Sequence, residues 1–455
     1  MSDFQKCIFQ SKLKQAEQKL GFNFNESLEE ENDAVYNHDD DSEASSSKSE
    51  VPKAKSSFED EKIRLSWGKV FDNNDIYCNS EGYCFQTYFR KPVLHNNNAD
   101  ECPVIFIAHH GAGSSGLTFA NLASCIADKS NSLHYFTNPG FFTFDMRGHG
   151  NTNLINRNNE KLNAMNYDLS IDQLQKDFIF IFNHFVKRYL KSNTALSNSD
   201  SARCSLFFLG HSLGGAVLTK VLYKYSKKTE EVSSEFHLDP QYAKFIKGLT
   251  MVDIVEETAI RALDSMDSYL NSIPQSFQSL QDAIDWHVSH QLIYNRYSCR
   301  YSIPPILTPL NTKQSGYKFI IDLKKTEQYW HDWFVGLSSE FISIPSSVSK
   351  LLVLANNDLL DKNLIIGQMQ GKYQLIVFRS SDLKLENIMS TTTTTISLKD
   401  CKEISHFIQE DIPNKFAISL LEYVERNDNG SFHKKESNPQ LDLINRLNQK
   451  WNVKN

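Results

Sequence analysis

What this chain lacks narrows it first. No apolar run approaches the roughly 20 residues that a membrane-crossing helix needs; runs such as Val104–Ala108, Ser205–Leu209 and Leu351–Ala355 are strand-length. The first residues lack the apolar centre of a secretion signal, so cytosol or nucleus is the expected setting. The eight cysteines show no metal-ligand spacing. Cys78 and Cys84, the closest pair, flank Gly82. Without an export signal they are expected to be free thiols. There is no excess of basic residues. The formal net charge is −7, and residues 26–50 alone carry ten acidic side chains and one Lys. The remainder is near neutral, so no nucleic-acid surface is expected.

What is present suits a large packed enzyme. Of 455 residues 40% are hydrophobic, with 30 Phe and 18 Tyr. Met1 to Phe22 carries a helical apolar stripe, and residues 23–60 are rich in Asn, Glu, Asp and Ser. Residues 1–62 are therefore expected to be a disordered acidic tail. Short apolar strands then alternate with helices up to about residue 425, followed by a polar tail over 426–455. This alternation predicts an α/β class with a mainly parallel sheet. Residues 254–340 break it with helical patterns at Thr258–Leu270, Ser279–His290 and Thr326–Leu337. They are expected to form a helical cap. A run of five Thr at 391–395 marks residues 380–404 as a low-complexity loop.

The chain is organised around Leu206–Ala216, where an apolar run ends in Gly210-His211-Ser212-Leu213-Gly214 and a helix-compatible run follows. Strand, Gly-x-Ser-x-Gly and helix make a nucleophile elbow. The turn strains the serine backbone and holds its hydroxyl clear of the sheet. Gly210 and Gly214 are expected where a side chain would collide as strand and helix close up.

A serine hydroxyl needs a base within hydrogen-bond reach, and the base needs an orienting acid. His406 is the only histidine between the last strand and the final helix, so it is the candidate base. The acid is open: Asp253 ends the strand after the elbow, while Asp358 and Asp361 follow the next strand. All precede His406, so order cannot separate them. The losing position is expected to cap a helix or sit in a turn. The Gly111-Ala112-Gly113 loop follows a strand, and the N–H groups of Ala112 and Leu213 are the expected oxyanion donors. No Lys-Ser/Thr continuation follows that loop, which disfavours a nucleotide site. His109 and His110 point to opposite faces of a strand and cannot easily share one metal ion. No cofactor or metal is expected. Asp145-Met146-Arg147-Gly148-His149-Gly150 is read as a structural turn in which Arg147 pairs locally.

Beyond the elbow, the chain resembles the protein phosphatase methylesterases, enzymes of the α/β-hydrolase fold. The resemblance rests on Met251–Ala259, Ala262–Met266, Ser276–Leu280, Ala283–Trp286, Leu323–Ser338, Leu360–Lys362, Ile366–Lys372 and His406 with Glu410-Asp411. It covers roughly residues 63–425 and breaks at 191–204, 226–244 and 380–404. It implies hydrolysis of the methyl ester on the carboxyl-terminal leucine of the type 2A protein phosphatase catalytic subunit. It further implies Ser212, Asp253 and His406 as the triad, that subunit as partner, and a monomer. The family's Asp-x-Val-Glu motif selects Asp253. This chain departs in having Ser405 before the histidine, Gln409 three residues after it, and Glu257 where Gly is usual. The alternatives are an esterase of another small ester and a catalytically weak phosphatase-binding protein.

Overall fold

The computed structural model describes residues 60, 62–94, 103–135, 137–155, 167–190, 204–227, 237–310, 315–356, 359–389 and 403–428. The stripe at residues 1–22, the acidic tail, the Thr run, Asp358 and the polar tail after 428 lie outside the described residues.

Among the described residues nine strands form the main sheet: β1 (Asn73–Cys78), β2 (Tyr83–Arg90), β3 (Val104–His109), β4 (Gly140–Phe144), β5 (Asn153–Leu154), β6 (Ser205–His211), β7 (Ile246–Val252), β8 (Ser349–Ala355) and β9 (Gln374–Phe378). Their order is β1-β2-β4-β3-β6-β7-β8-β9, with β5 beside β2. Strands from β4 to β9 along this path pair in parallel, while β1 and β2 are antiparallel. Parallel strands need crossovers, and helices make them on both faces.

Side chains sort by strand alternation. Ile105, Ile107, Leu206 and Phe208 pack on one face with Phe178 and Phe182 of α2 (Ile171–Phe185) and Val217 of α3 (Leu213–Lys227). Val104, Phe106, Phe207 and Leu209 pack on the other with Leu122 of α1 (Ala120–Ser132) and with Leu420 near the carboxyl end of the chain. Both faces are therefore core, and every residue of β3 and β6 is buried.

Between β7 and β8 stand α4 (Glu256–Leu263), α5 (Met266–Ser272), α6 (Leu280–Ser289), α7 (Arg296–Ser302), α8 (Glu327–Phe334) and α9 (Leu337–Ser343). The single helix expected over Thr258–Leu270 is two, broken at Asp264-Ser265. Both residue types compete for backbone hydrogen bonds and weaken a helix interior. This insertion has its own apolar cluster, including Phe277, Ile284, Ile293 and Leu307.

Two further expectations are corrected. Part of the expected 380–404 loop is a helix, α11 (Ser380–Met389), which follows α10 (Lys362–Met369) and β9. Leu383 is fully buried, and the Glu386 carboxylate accepts the N–H groups of Asn414 and Lys415, both at 3.0 Å. Those N–H groups start the final helix, so Glu386 ties α11 to it where its own first turn has no acceptors. Cys78 and Cys84, expected as thiols, are disulfide-bonded. The β1–β2 register sets them directly opposite, with Cα atoms 4.0 Å apart. Cross-strand geometry, which composition cannot show, brings the two sulfurs together.

Candidate active site

Only Ser212 separates β6 from α3, and its φ is +51°. Its N–H donates to the Val252 carbonyl at 2.9 Å, which pins the turn to β7. A Cβ on Gly210 would lie 2.4 Å from the Gly215 Cα, so strand and helix do close up there. Gly214 differs from that expectation: its Cβ would lie 2.1 Å from the His109 carbonyl oxygen, on the neighbouring strand β3.

Asp253 follows β7 directly, with φ +52°. Its Oδ1 accepts the Ala355 N–H at 3.0 Å, and its Oδ2 lies 2.7 Å from His406 Nδ1. A carboxylate only accepts, so Nδ1 of His406 carries the proton and Nε2 is the ring's basic edge. Asp361 has a different occupation. It caps α10 through the Leu364 N–H at 3.0 Å and bonds the Ser338 hydroxyl. Asp358 lies outside the described residues.

Three side chains to which sequence reasoning gave no role of their own hold the His406 loop. His211 donates from Nε2 to the His406 carbonyl at 2.9 Å. Asn356 donates to the Ile404 carbonyl at 2.9 Å and accepts its N–H at 3.1 Å. Asp411 accepts the Ser405 N–H at 2.9 Å. For Asn356 the available signal was a polar residue directly after an apolar strand. The end of β8 thus anchors both Asp253, through Ala355, and the His406 loop, through Asn356.

The Gly111–Gly113 loop is laced to the Asp145–Gly150 turn by two imidazoles. His110 Nε2 accepts the Met146 N–H at 3.0 Å while Nδ1–H donates to the Gly111 carbonyl at 2.8 Å. His149 Nε2 accepts the Gly113 N–H at 2.9 Å while Nδ1–H donates to the Arg147 carbonyl at 2.9 Å. Arg147 does not pair locally: it makes a buried bidentate bond to Asp177 on α2, at 2.5 and 2.6 Å. The Tyr83 ring lies 4.1 Å beneath its guanidinium. The Asp145–Gly150 turn is thus bolted to α2 instead of to itself. Leu213 is fully buried at the first position of α3, where helix geometry leaves its N–H without an intrahelical acceptor.

These buried rings work as neutral hydrogen-bonding groups. Burial lowers His109 and His149 to about 4 and His110 well below its ordinary value. Burial, with the His406 ring beside it, does the same to His211. A histidine depressed in the fold contributes stability that is fully present above about 6.5 and is lost as pH falls through about 4. Asp145 and Asp411, raised by burial to about 6, oppose this: their contribution grows on acidification from pH 6 to 3.8. His149→Gln is therefore expected to flatten the acid loss by about 1.4 kcal/mol per pH unit between pH 6.5 and 4. Urea melts at stepped pH check it, and an unchanged slope would mean that His149 is not buried in its neutral form.

Ser212, His406, Ala112 and Gly113 border one cleft of about 1960 Å³. Residues of the insertion, including Met266, Leu270, Ile273, Phe319 and Leu323, line it as well. The structure therefore brings Ser212, Asp253, His406 and the Gly111–Gly113 loop together at the carboxyl ends of the strands, where ligands bind in such sheets.

Comparison with known proteins extends this. Residues 103–382 match the model of the alpha/beta hydrolase fold family. The chain is similar to protein phosphatase methylesterase 1 of Debaryomyces hansenii, 37% identical over 372 residues, 81% of this chain and 79% of that one. It is similar to the protein of the same name from Kluyveromyces lactis, 37% identical over 80% of this chain and 77% of that one. The Saccharomyces cerevisiae protein of that name is 38% identical over 80% of this chain and 76% of its own.

Proposed function

Because this chain belongs to the protein phosphatase methylesterase family and is a carboxylic ester hydrolase, we propose that Ser212, Asp253 and His406 are its catalytic residues. We assign its substrate as the methyl ester on the carboxyl-terminal leucine of the type 2A protein phosphatase catalytic subunit. The observation that carries the catalytic reading is the 2.7 Å contact of Asp253 with His406 Nδ1, beside a cleft that Ser212 also borders.

In this mechanism His406 Nε2 takes the Ser212 proton as Oγ attacks the ester carbonyl. Asp253 holds the imidazole tautomer and stabilises the imidazolium that forms. The tetrahedral oxyanion is held by the N–H groups of Ala112 and Leu213, each worth about 3 kcal/mol. His406 returns the proton to the methoxide, and methanol leaves an acyl-enzyme on Ser212. Water, deprotonated by the same ring, then releases the leucine carboxylate and restores the serine.

The cleft supports a polypeptide substrate. Its volume of about 1960 Å³ exceeds the roughly 300–1000 Å³ of a small-molecule pocket. Its apolar wall suits a leucine side chain. The test is methanol release from the methylated phosphatase catalytic subunit and from a synthetic peptide ending in leucine methyl ester. Valine in place of that leucine, one methylene shorter, is expected to lower kcat/KM about 10- to 200-fold. Hydrolysis of p-nitrophenyl acetate with the methylated phosphatase untouched would assign another ester as substrate.

A further inference from the structure

Four residues beyond His406, a buried acid touches parts of the molecule far apart in sequence. Glu410 is 1% exposed and lies in a single helical turn, α12 (Ile408–Asp411). Its carboxyl bonds the Thr118 hydroxyl, in the 3-10 turn Gly116–Phe119 that follows the Gly111–Gly113 loop. Its other oxygen bonds the Ser302 hydroxyl of α7 at 2.6 Å. Its backbone carbonyl accepts from Ser298 of the same helix at 2.8 Å. Gln409 donates to the Thr118 hydroxyl at 3.0 Å, so that hydroxyl is free to donate onward to Glu410. Glu410 also borders the active-site cleft. Nothing in the mechanism above uses it.

We propose that Glu410 is a positioning residue for His406, which ties the His406 loop to α7 of the insertion and to the segment behind the oxyanion loop. The proposal rests on the reading of His406 as the base. It acts through the backbone: Asp411, the next residue, holds the Ser405 N–H, and its other oxygen accepts the Tyr294 N–H at 2.7 Å, just before α7. Two adjacent carboxyls thus staple one short loop to the insertion.

Burial sets the favoured protonation state, against the Ser302 and Thr118 hydroxyl bonds, which by themselves favour the carboxylate. A neutral Glu410 donates one hydrogen bond and accepts another. Ser302 can then receive that proton, since its own has a second acceptor in the Ser298 carbonyl at 3.3 Å. An ionised Glu410 puts a charge in a buried site beside Asp411. Burial raises its pKa to about 8, and Asp411 adds to the rise. From α7 the Cys299 thiol faces both acids, with Arg296 one turn earlier. From α1 comes Cys125, directed at Asn121. From the final helix comes Lys415, which pairs with Asp382 at 3.9 Å. The turn Gly116–Phe119 carries no titratable side chain. Above about pH 8 the staple is therefore expected to loosen and His406 to lose its alignment.

The test is the rate at which a fluorophosphonate labels Ser212 in the full chain, from pH 6.5 to 9.5. The wild-type rate is expected to fall above pH 8. Glu410→Gln, which keeps a donor and an acceptor but no charge, is expected to retain near-wild-type labelling and to lose that fall. Glu410→Ala is expected to label about 10- to 100-fold more slowly at every pH, the scale of a misplaced reacting group. Ser302→Ala covers the case in which the alanine variant does not fold, and is expected to slow labelling severalfold. An alkaline fall that persists in Glu410→Gln, or wild-type rates in Glu410→Ala or Ser302→Ala, overturns the proposal. His406→Ala is the control. If it labels normally, the base reading fails and the positioning role with it. If it is silent while the Glu410 and Ser302 variants behave as wild type, only the positioning role fails.

Discussion

Ser212→Ala is expected to lower kcat by about 10⁶-fold while leaving the fold unchanged. The residual rate should come from the oxyanion donors and substrate binding, which the substitution leaves in place. The two halves of this expectation have separate causes. Serine and alanine meet the same steric conflict at φ +51°, so their folded states carry similar backbone strain. Ser212→Gly removes that conflict, and is expected to lose turnover equally while gaining about 1 kcal/mol of stability. The gain is what remains of roughly 1–3 kcal/mol of strain after the greater chain entropy that glycine surrenders on folding. Paired measurement of methanol release and urea midpoints for the two variants checks both halves. An alanine variant with more than about one-hundredth of wild-type turnover would remove Ser212 as nucleophile. A glycine variant less stable than wild type would show that the elbow stores no strain.

How much of this was legible before the structure depends on the range of each interaction. The elbow is a local device: an apolar strand, two glycines and a helix lie within eleven residues, Leu206–Ala216, and any sequence window contains them all. Strand identity is local as well: the apolar runs Val104–Ala108 and Ser205–Leu209 marked β3 and β6. His406 was selected by its order after the last strand, again a one-dimensional property. The acid was a different kind of problem. Asp253 and Asp361 each follow an apolar strand, and only the 2.7 Å contact across 153 residues of chain distinguishes their surroundings. Resemblance favoured Asp253; residue chemistry alone did not. Register was also out of reach, which is why Cys78 and Cys84 were read as thiols and Arg147 was given a local partner. His149 was read only as part of a turn and Asn356 carried no motif, because each acts on a backbone group in another part of the chain.

Asp253→Asn is expected to lower kcat by about 10⁴-fold with KM nearly unchanged. Asparagine keeps the volume and still accepts the Ala355 N–H through its oxygen, so the end of β8 stays in place. Its amide then turns a donor toward His406. The imidazole answers by presenting Nδ1 as acceptor and carrying its proton on Nε2, the edge that must receive the serine proton. The base is then blocked, and the imidazolium also loses its counter-charge. Asp361→Asn serves as the comparison. Asparagine caps a helix about as well as aspartate, so that variant is expected to keep kcat within severalfold. It should lose a few tenths of a kcal/mol at most from the changed bond to Ser338. The pH dependence separates the readings further. Hydroxide can replace a disabled general base, so the Asp253→Asn rate should climb steadily above pH 8, where the wild-type rate is expected to fall. Full activity in Asp253→Asn, together with its loss in Asp358→Asn, would move the acid to the end of β8. The Asp253 contact with His406 would then be a structural bond only.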